Sequence, residues 1–208
     1  MTDNVIENNQ AAIIGRIDAE FTFSHRLLGE GFYTTKVIVN RQSESCDCIP
    51  VMVSERLVNV LGNYKGKYVE IVGQFRSYNR HEPEHNRLIL VVFAREIRFL
   101  NKVEKFQQVN DIFLNGYVCK TPVYRKTPMG REITDILLGV NRPYCKSDYI
   151  PCICWGRTAR YAASLEIGGH VLISGRVQSR NYIKRIENDK AVQRVAYEVS
   201  INRLESVG

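Results

Sequence analysis

The sequence predicts an all-β protein built as two tandem five-stranded OB-fold barrels, each with a short helix between strands 3 and 4. Three observations support this: an internal repeat, strand-length apolar segments bounded by turn signals, and an alanine-rich segment without Pro or Gly. With 208 residues, the chain is long enough for two domains of about 100 residues each.

The internal repeat is defined by markers that recur at an offset of 101 or 102 residues. In the first half the markers are Gly15, Val39-Asn40-Arg41, Ile49-Pro50, Gly73 and Ser77; in the second half they are Gly116, Val140-Asn141-Arg142, Ile150-Pro151, Gly175 and Ser179. This constant register predicts a duplication, with a first domain at 8–103 and a second at 108–206. The join at 101–109 is too short for a flexible linker, so we expect the domains to lie close together.

The second copy carries the clearest pattern of elements. Strands are predicted at 112–120, 132–141, 149–155, 171–184 and 192–204, a basic loop at 124–131, and a helix at 158–165 that ends before Gly168 and Gly169. The first copy repeats the order, with a helix near 55–61 and a strand at 68–78. Five strands with a helix between the third and fourth is the order of the OB-fold, which binds oligonucleotides across its second and third strands.

The charge is distributed unevenly between the two halves. Residues 1–100 contain 12 Lys and Arg against 12 Asp and Glu, whereas residues 101–208 contain 17 against 10. The second half therefore carries the whole formal net charge of +7. A cationic excess confined to one half predicts a polyanion site there.

Several other classes of protein are disfavoured. No apolar run is long enough to span a bilayer, and the acidic, polar start is unlike a signal peptide, so we expect a cytoplasmic protein with reduced thiols. Cys46-x-Cys48 and Cys152-x-Cys154 are spaced too closely for a usual zinc site, and Pro83 between His81 and His85 predicts a solvated loop. No catalytic motif stands out. We therefore expect no enzyme activity, no metal and no cofactor.

The second copy resembles the bacterial single-stranded DNA-binding proteins. The resemblance rests on Val140-Asn141-Arg142, on Trp155-Gly156-Arg157-Thr158-Ala159, on Gly168, and on the segment from Gly175 to Tyr182. It covers nearly all of 110–206, whereas 12–100 match mainly through the internal repeat. The resemblance implies a non-catalytic protein that holds single-stranded DNA without sequence preference and protects it in replication, recombination or repair. It also implies a homodimer, which brings four OB domains together.

Such binding needs flat apolar faces for bases and cations for phosphates. Alternation along the third strand predicts one face with Tyr149, Pro151, Ile153 and Trp155, and a core face with Ile150, Cys152 and Cys154. The resemblance places Tyr149, Trp155 and Tyr182 where the family has its base-stacking aromatics. The full set of candidate nucleic-acid-binding residues is Tyr149, Trp155, Tyr182, Tyr144, Arg125, Lys126, Arg131, Arg142, Lys146, Arg157, Arg176, Gln178, Arg180 and Lys184.

The first copy has no aromatic residue at the three equivalent positions, which hold Cys48, Ser54 and Arg80. We therefore expect the first domain to have a structural or partner-binding role. Two alternatives to single-stranded DNA binding remain open: an RNA-binding or primosomal OB protein, and an OB-fold scaffold for protein interactions. We expect neither a membrane nor a small-molecule substrate as partner.

Overall fold

The computed structural model describes residues 8–41, 43, 45–82, 85–185 and 191–207; for 81–82, 85–86, 182–185 and 191–194 it describes the backbone alone. In this part of the chain almost every element is a strand. The first half contains β1 (Asn9–Ile17), β2 (Thr22–Leu27), β3 (Glu30–Asn40), β4 (Cys46–Ser54), β5 (Tyr68–Glu82) and β6 (His85–Leu100). The second half contains β7 (Val109–Val118), β8 (Val123–Lys126), β9 (Glu132–Arg142), β10 (Lys146–Trp155), α1 (Gly156–Ala162), β11 (His170–Arg185) and β12 (Ala191–Ser206). A 3₁₀ turn at Lys105–Gln107 lies in the connector.

The two halves have the same strand order. The first runs β2-β3-β4-β6-β5-β1 and the second β8-β9-β10-β12-β11-β7, with the additional pairings β1–β3 and β7–β9. β1 and β7 pair antiparallel and join the halves into one twelve-stranded sheet. No helix in the described part of the chain is both long and apolar enough to cross a bilayer.

The strand register reproduces the internal repeat. Each pair between β3 and β4, from Phe32 with Ser54 to Asn40 with Cys46, has a counterpart 101 residues later between β9 and β10. The register shift just before Gly73 in β5 recurs just before Gly175 in β11. The duplication in the sequence is therefore a duplication of strand pairing.

Two of the marker glycines lie where strands approach too closely for a side chain. A Cβ at Gly15 would overlap the carbonyl oxygen of Ile38, and a Cβ at Gly116 would overlap that of Gly139. These contacts lie close to the β1–β3 and β7–β9 pairings, so glycine permits the sheet of each half to close on itself.

The helix predicted near 55–61 in the first half is wrong, because this segment forms turns. The side chain of Asn59 accepts a hydrogen bond from the backbone N–H of Leu61, and Asn63 does the same for Lys65. Such local bonds offer the backbone an alternative to the helical ladder. The alanine-rich segment of the second half does form a helix, α1, which begins and ends earlier than predicted.

The predicted loop at 124–131 also differs from the structure. Its first three residues continue the edge strand β8, which pairs with the start of β9, and only the tip around Gly130 forms a turn. Each half therefore has a sixth, short strand in addition to the five predicted ones. The predicted strands of the second half are all present, with bounds that differ by up to three residues.

Candidate nucleic-acid interface

The exposed face of β10 carries two of the predicted aromatic residues. Tyr149 is 50% exposed, and Trp155 is partly buried with its indole Nε1 donating to Ser200 Oγ at 3.2 Å. Ile150, Cys152 and Cys154 are buried, as the alternation predicted. The strand pairing of β10 continues without a register shift, so Ile153 lies on the face of Tyr149, but it is only 4% exposed.

Trp155 lies on the same face of the sheet as a row of polar side chains on β11. Its hydrogen-bond partner Ser200 pairs in the sheet with Arg176. Beyond Arg176 on the same face of β11 come Gln178, which donates to Glu198 at 2.9 Å, and the exposed Arg180. The structure therefore brings together the ring, amide and guanidinium groups that were predicted to share one surface. Tyr182 and Lys184 lie farther along β11, where side chains are outside the described residues.

The remaining basic candidates of the second half lie on exposed edges. Arg125, Lys126 and Arg131 belong to the β8–β9 hairpin, and Arg125 Nε donates to Asp135 Oδ2 at 2.8 Å. Arg157 is exposed in α1.

The β9–β10 turn carries the two candidates farthest from Trp155 along the hairpin, Tyr144 and Lys146. Tyr144 is 94% exposed and has a φ of 63°, and Lys146 is exposed beside it. A non-glycine residue at positive φ is uncommon, so this turn holds Tyr144 in a strained conformation that presents its ring to solvent.

Arg142, in contrast, is held against a buried carboxylate. Asp148 has no exposed surface, and its Oδ2 lies 3.3 Å from Arg142 Nε. Its Oδ1 accepts a hydrogen bond at 2.6 Å from the backbone N–H of Ser77, in β5 of the other half. The Ser77 hydroxyl in turn accepts a 2.8 Å bond from the N–H of Tyr149. The β9–β10 hairpin is thus docked on the first half.

The first half makes the equivalent contact with the second half, through its own buried carboxylate, Asp47. Asp47, 1% exposed, accepts hydrogen bonds from Arg41 Nε at 2.8 Å and from Arg176 Nη1 at 2.9 Å. It also accepts a longer bond, at 3.4 Å, from the backbone N–H of Ser179 in β11. Each hairpin therefore reaches the long strand of the other half. Sequence reasoning included Arg142 and Arg176 but missed Arg41, although the repeated Val-Asn-Arg motif marked it.

The first half has an aromatic and basic cavity, although its three equivalent positions hold no aromatic residue. Residues of β2, β4, β5 and β6, among them Tyr78 and Arg80, line a cavity of 470 Å³ together with Arg142 of the second half. Arg76 lies over the Phe93 ring at 4.8 Å, on the same cavity.

The ring in this groove comes from a different strand than in the second half. By register, Ser54 is equivalent to Trp155, and Phe93 is equivalent to Ser200. In the second half the aromatic residue of this pair is Trp155 on β10, whereas in the first half it is Phe93 on β6. The three positions equivalent to the aromatic residues of the second half lie in β4 and β5, so they do not include Phe93 of β6.

Cys152 and Cys154 are both buried in the second half. Burial raises the pKa of Cys152 well above its ordinary value and raises that of Cys154 to about 12, so both thiols stay protonated. The structure shows no group of three or more His, Cys, Asp or Glu among the described residues that could hold a metal ion. His81 lies in β5 and His85 begins β6, so both histidines are in strands where a solvated loop was predicted. Their side chains and residues 83–84 lie outside the described set.

Comparisons with known proteins identify the family of the second half. Residues 109–207 match the model of the single-strand binding protein family. The chain is 33% identical over 97 residues to single-stranded DNA-binding protein B of Bacillus subtilis, covering 43% of this chain and 82% of that protein. It is 35% identical over 81 residues to single-stranded DNA-binding protein 1 of Staphylococcus aureus, covering 36% of this chain and 48% of that protein. The chain belongs to the single-strand binding protein family.

The fold of the whole chain is also shared with a solved structure. The single-stranded DNA binding protein from Thermus aquaticus superposes with a TM-score of 0.75, covering 96% of this chain and 93% of that chain at 20% identity. The likeness extends over both halves. At this identity it shows a common fold.

Proposed function

We propose that the protein is a non-catalytic, largely sequence-independent binder of single-stranded DNA that protects exposed strands in replication, recombination or repair. The observation that carries the proposal is the hydrogen bond that holds Trp155 to Ser200, opposite Arg176 of the Arg176–Gln178–Arg180 row of β11. The exposed Tyr149 lies farther along the same strand as Trp155, on β10. Rings stack on bases of any sequence, and guanidinium groups pair with phosphates. This surface lies in the half that matches the family and that carries the net charge.

Two OB-fold barrels, at 8–103 and 108–206, are the domain arrangement we propose for this function. The support is the pairing of β1 with β3 and of β7 with β9, which returns the sheet of each half to its own first strand. The groove with Arg76 and Phe93 gives the first half a surface for a weaker contact with the same strand. The second half remains the main site in this proposal, because it combines the charge excess with exposed aromatic residues.

The function is tested by titration with oligo-dT, oligo-rU and duplex DNA at two salt concentrations. Trp155 is the only tryptophan, so stacked bases should quench the tryptophan fluorescence strongly. If four to six cations meet phosphates, log K should fall against log salt with a slope of about −3 to −4. Equal affinity for duplex DNA, a flat salt response, or unchanged emission at saturation would contradict the proposal. Tighter binding of oligo-rU would favour an RNA-binding protein instead.

A homodimer is the assembly we propose. Because β1 pairs with β7, the outer faces of the two halves form one continuous surface. On it a cavity of 610 Å³ crosses the junction, with Ala12, Phe113 and the 44% exposed Val72 in its lining. A second copy placed by two-fold symmetry would cover this face on both chains. Light scattering at micromolar concentration should give about twice the chain mass of 23.9 kDa. A monomer at every accessible concentration would exclude the dimer.

A further inference from the structure

A third cavity, of 580 Å³, lies where the two halves meet. It is lined by the end of β3 with the following turn, by β4, by the connector between the halves with the start of β7, and by β11 and β12. Asn40 and Arg41 come from the first of these segments, Lys105 and Phe106 from the connector, and Arg176 from β11. The side-chain oxygen of Gln108 accepts a 2.7 Å hydrogen bond from the backbone N–H of Asn40, which holds the connector against the β3–β4 hairpin.

The cavity has an excess of positive charge. Its described lining residues include the cations Arg41, Lys105 and Arg176, against the single carboxylate of Asp47. Burial lowers the pKa of Arg176, and the neighbouring charge of Arg41 lowers it further. Two guanidinium groups thus share one carboxylate that is itself 1% exposed, while 28% of each arginine side chain remains open to solvent. An anion entering the cavity would meet guanidinium groups that Asp47 has already oriented, so little side-chain entropy is lost on binding.

This cavity is continuous with the surface that carries Trp155. Trp155 donates to Ser200, Ser200 pairs with Arg176, and Arg176 reaches Asp47 and with it Arg41. A strand stacked on Trp155 would therefore have its next phosphates beside the mouth of the cavity. Phe106, 79% exposed in the connector, adds an apolar ring at the rim.

We propose that this inter-half cavity binds a backbone phosphate of the single strand, with Arg41 and Arg176 as its donors and Lys105 as a further cation. The proposal rests on the function proposed above. It places a residue of the first half, Arg41, in the nucleic-acid site of the second. The two halves then act as one binding unit, because each donor comes from a different half.

The test compares full-length Arg41→Gln and Arg41→Lys with the wild type by oligo-dT titration at several salt concentrations. Arg41→Gln should weaken binding about tenfold and reduce the magnitude of the salt slope by about 1, because one phosphate contact is lost. Arg41→Lys should restore most of the salt slope, since it keeps the charge. Arg98→Gln is the matched control, because Arg98 is also paired with a carboxylate, that of Glu70, at an exposed position on β6.

Two further results separate the possible outcomes. Wild-type protein that fails to bind oligo-dT refutes the proposed function itself, whereas wild-type binding with Arg41→Gln indistinguishable from Arg98→Gln refutes the cavity alone. Replacing chloride by inorganic phosphate at constant ionic strength should weaken oligo-dT binding more in the wild type than in Arg41→Gln. If phosphate ions bind at Arg41, seen by NMR of the arginine side chains, while Arg41→Gln keeps full oligo-dT affinity, the cavity serves free anions and the proposal is overturned.

Discussion

Replacing both Tyr149 and Trp155 with alanine should reduce oligo-dT affinity by at least about 30-fold while the fold persists. Each base stacked on an aromatic ring contributes about 1–3 kcal/mol, so the two rings together account for about 2–6 kcal/mol before non-additivity. At about 1.4 kcal/mol per factor of ten, the upper end would bring a nanomolar affinity to micromolar or weaker. Adding Tyr182→Ala extends the expected loss to about 3–9 kcal/mol if all three rings hold bases.

Because the double variant lacks the tryptophan probe, its binding is measured by the fluorescence anisotropy of a labelled oligonucleotide. Tyr161→Ala is the control: Tyr161 in α1 is 44% exposed, similar to Tyr149, and is not one of the candidate residues. Trp155→Phe keeps a ring and separates stacking from the loss of the hydrogen bond to Ser200. Near-wild-type binding by the double variant, with Tyr161→Ala equally unaffected, would remove the aromatic face from the site.

The second large effect is expected on stability. Asp148→Ala should lower the free energy of unfolding by about 3–5 kcal/mol, because it leaves Arg142 without its buried partner and the N–H of Ser77 without its acceptor. The measurement is the urea midpoint and slope of the full-length chain. The same change should loosen the contact between the halves, since Asp148 and Ser77 belong to different halves.

The matched control is Asp135→Ala. Asp135 is also paired with an arginine, Arg125, but the two side chains are 38% and 45% exposed. An exposed pair contributes at most about 1 kcal/mol, so this variant should unfold close to the wild type. If both variants lost the same small amount, burial of the Asp148 carboxylate would have no energetic consequence and the inter-half contact would be incidental.

Short-range patterns in the sequence were sufficient for the five predicted strands of the second half but missed the short edge strand β8. Alternation along 149–155 identified the buried Ile150, Cys152 and Cys154, because successive side chains in a strand point to opposite sides. The same rule does not give the low exposure of Ile153, which lies in the stretch of β10 that has both β9 and β12 as neighbours. The first-half helix failed for a local reason, as Asn59 and Asn63 bond their own backbone in turns.

The candidate site could likewise be predicted only in part from the sequence. Tyr149, Trp155 and Arg176 could be chosen from the second half alone, because strand register brings them to one surface. The cavity of the first half could not, since its ring, Phe93, occupies the position equivalent to Ser200 and not that of Trp155. An aromatic residue at the same position of the repeat can be found from the sequence alone. A ring that takes part in the same contact from a neighbouring strand cannot.

By itself, the sequence determined the duplication, the five predicted strands of the second half and the half that carries the charge, since each depends on composition or on spacing along the chain. Only the tertiary structure decided that Arg41 and Arg176 share Asp47, and that Asp148 binds Ser77. These contacts join residues far apart in the chain, and they form because β1 pairs with β7 and brings each hairpin against the long strand of the other half. A buried carboxylate must take its donors from whatever backbone and side chains surround it, and the packing of the two halves determines which those are.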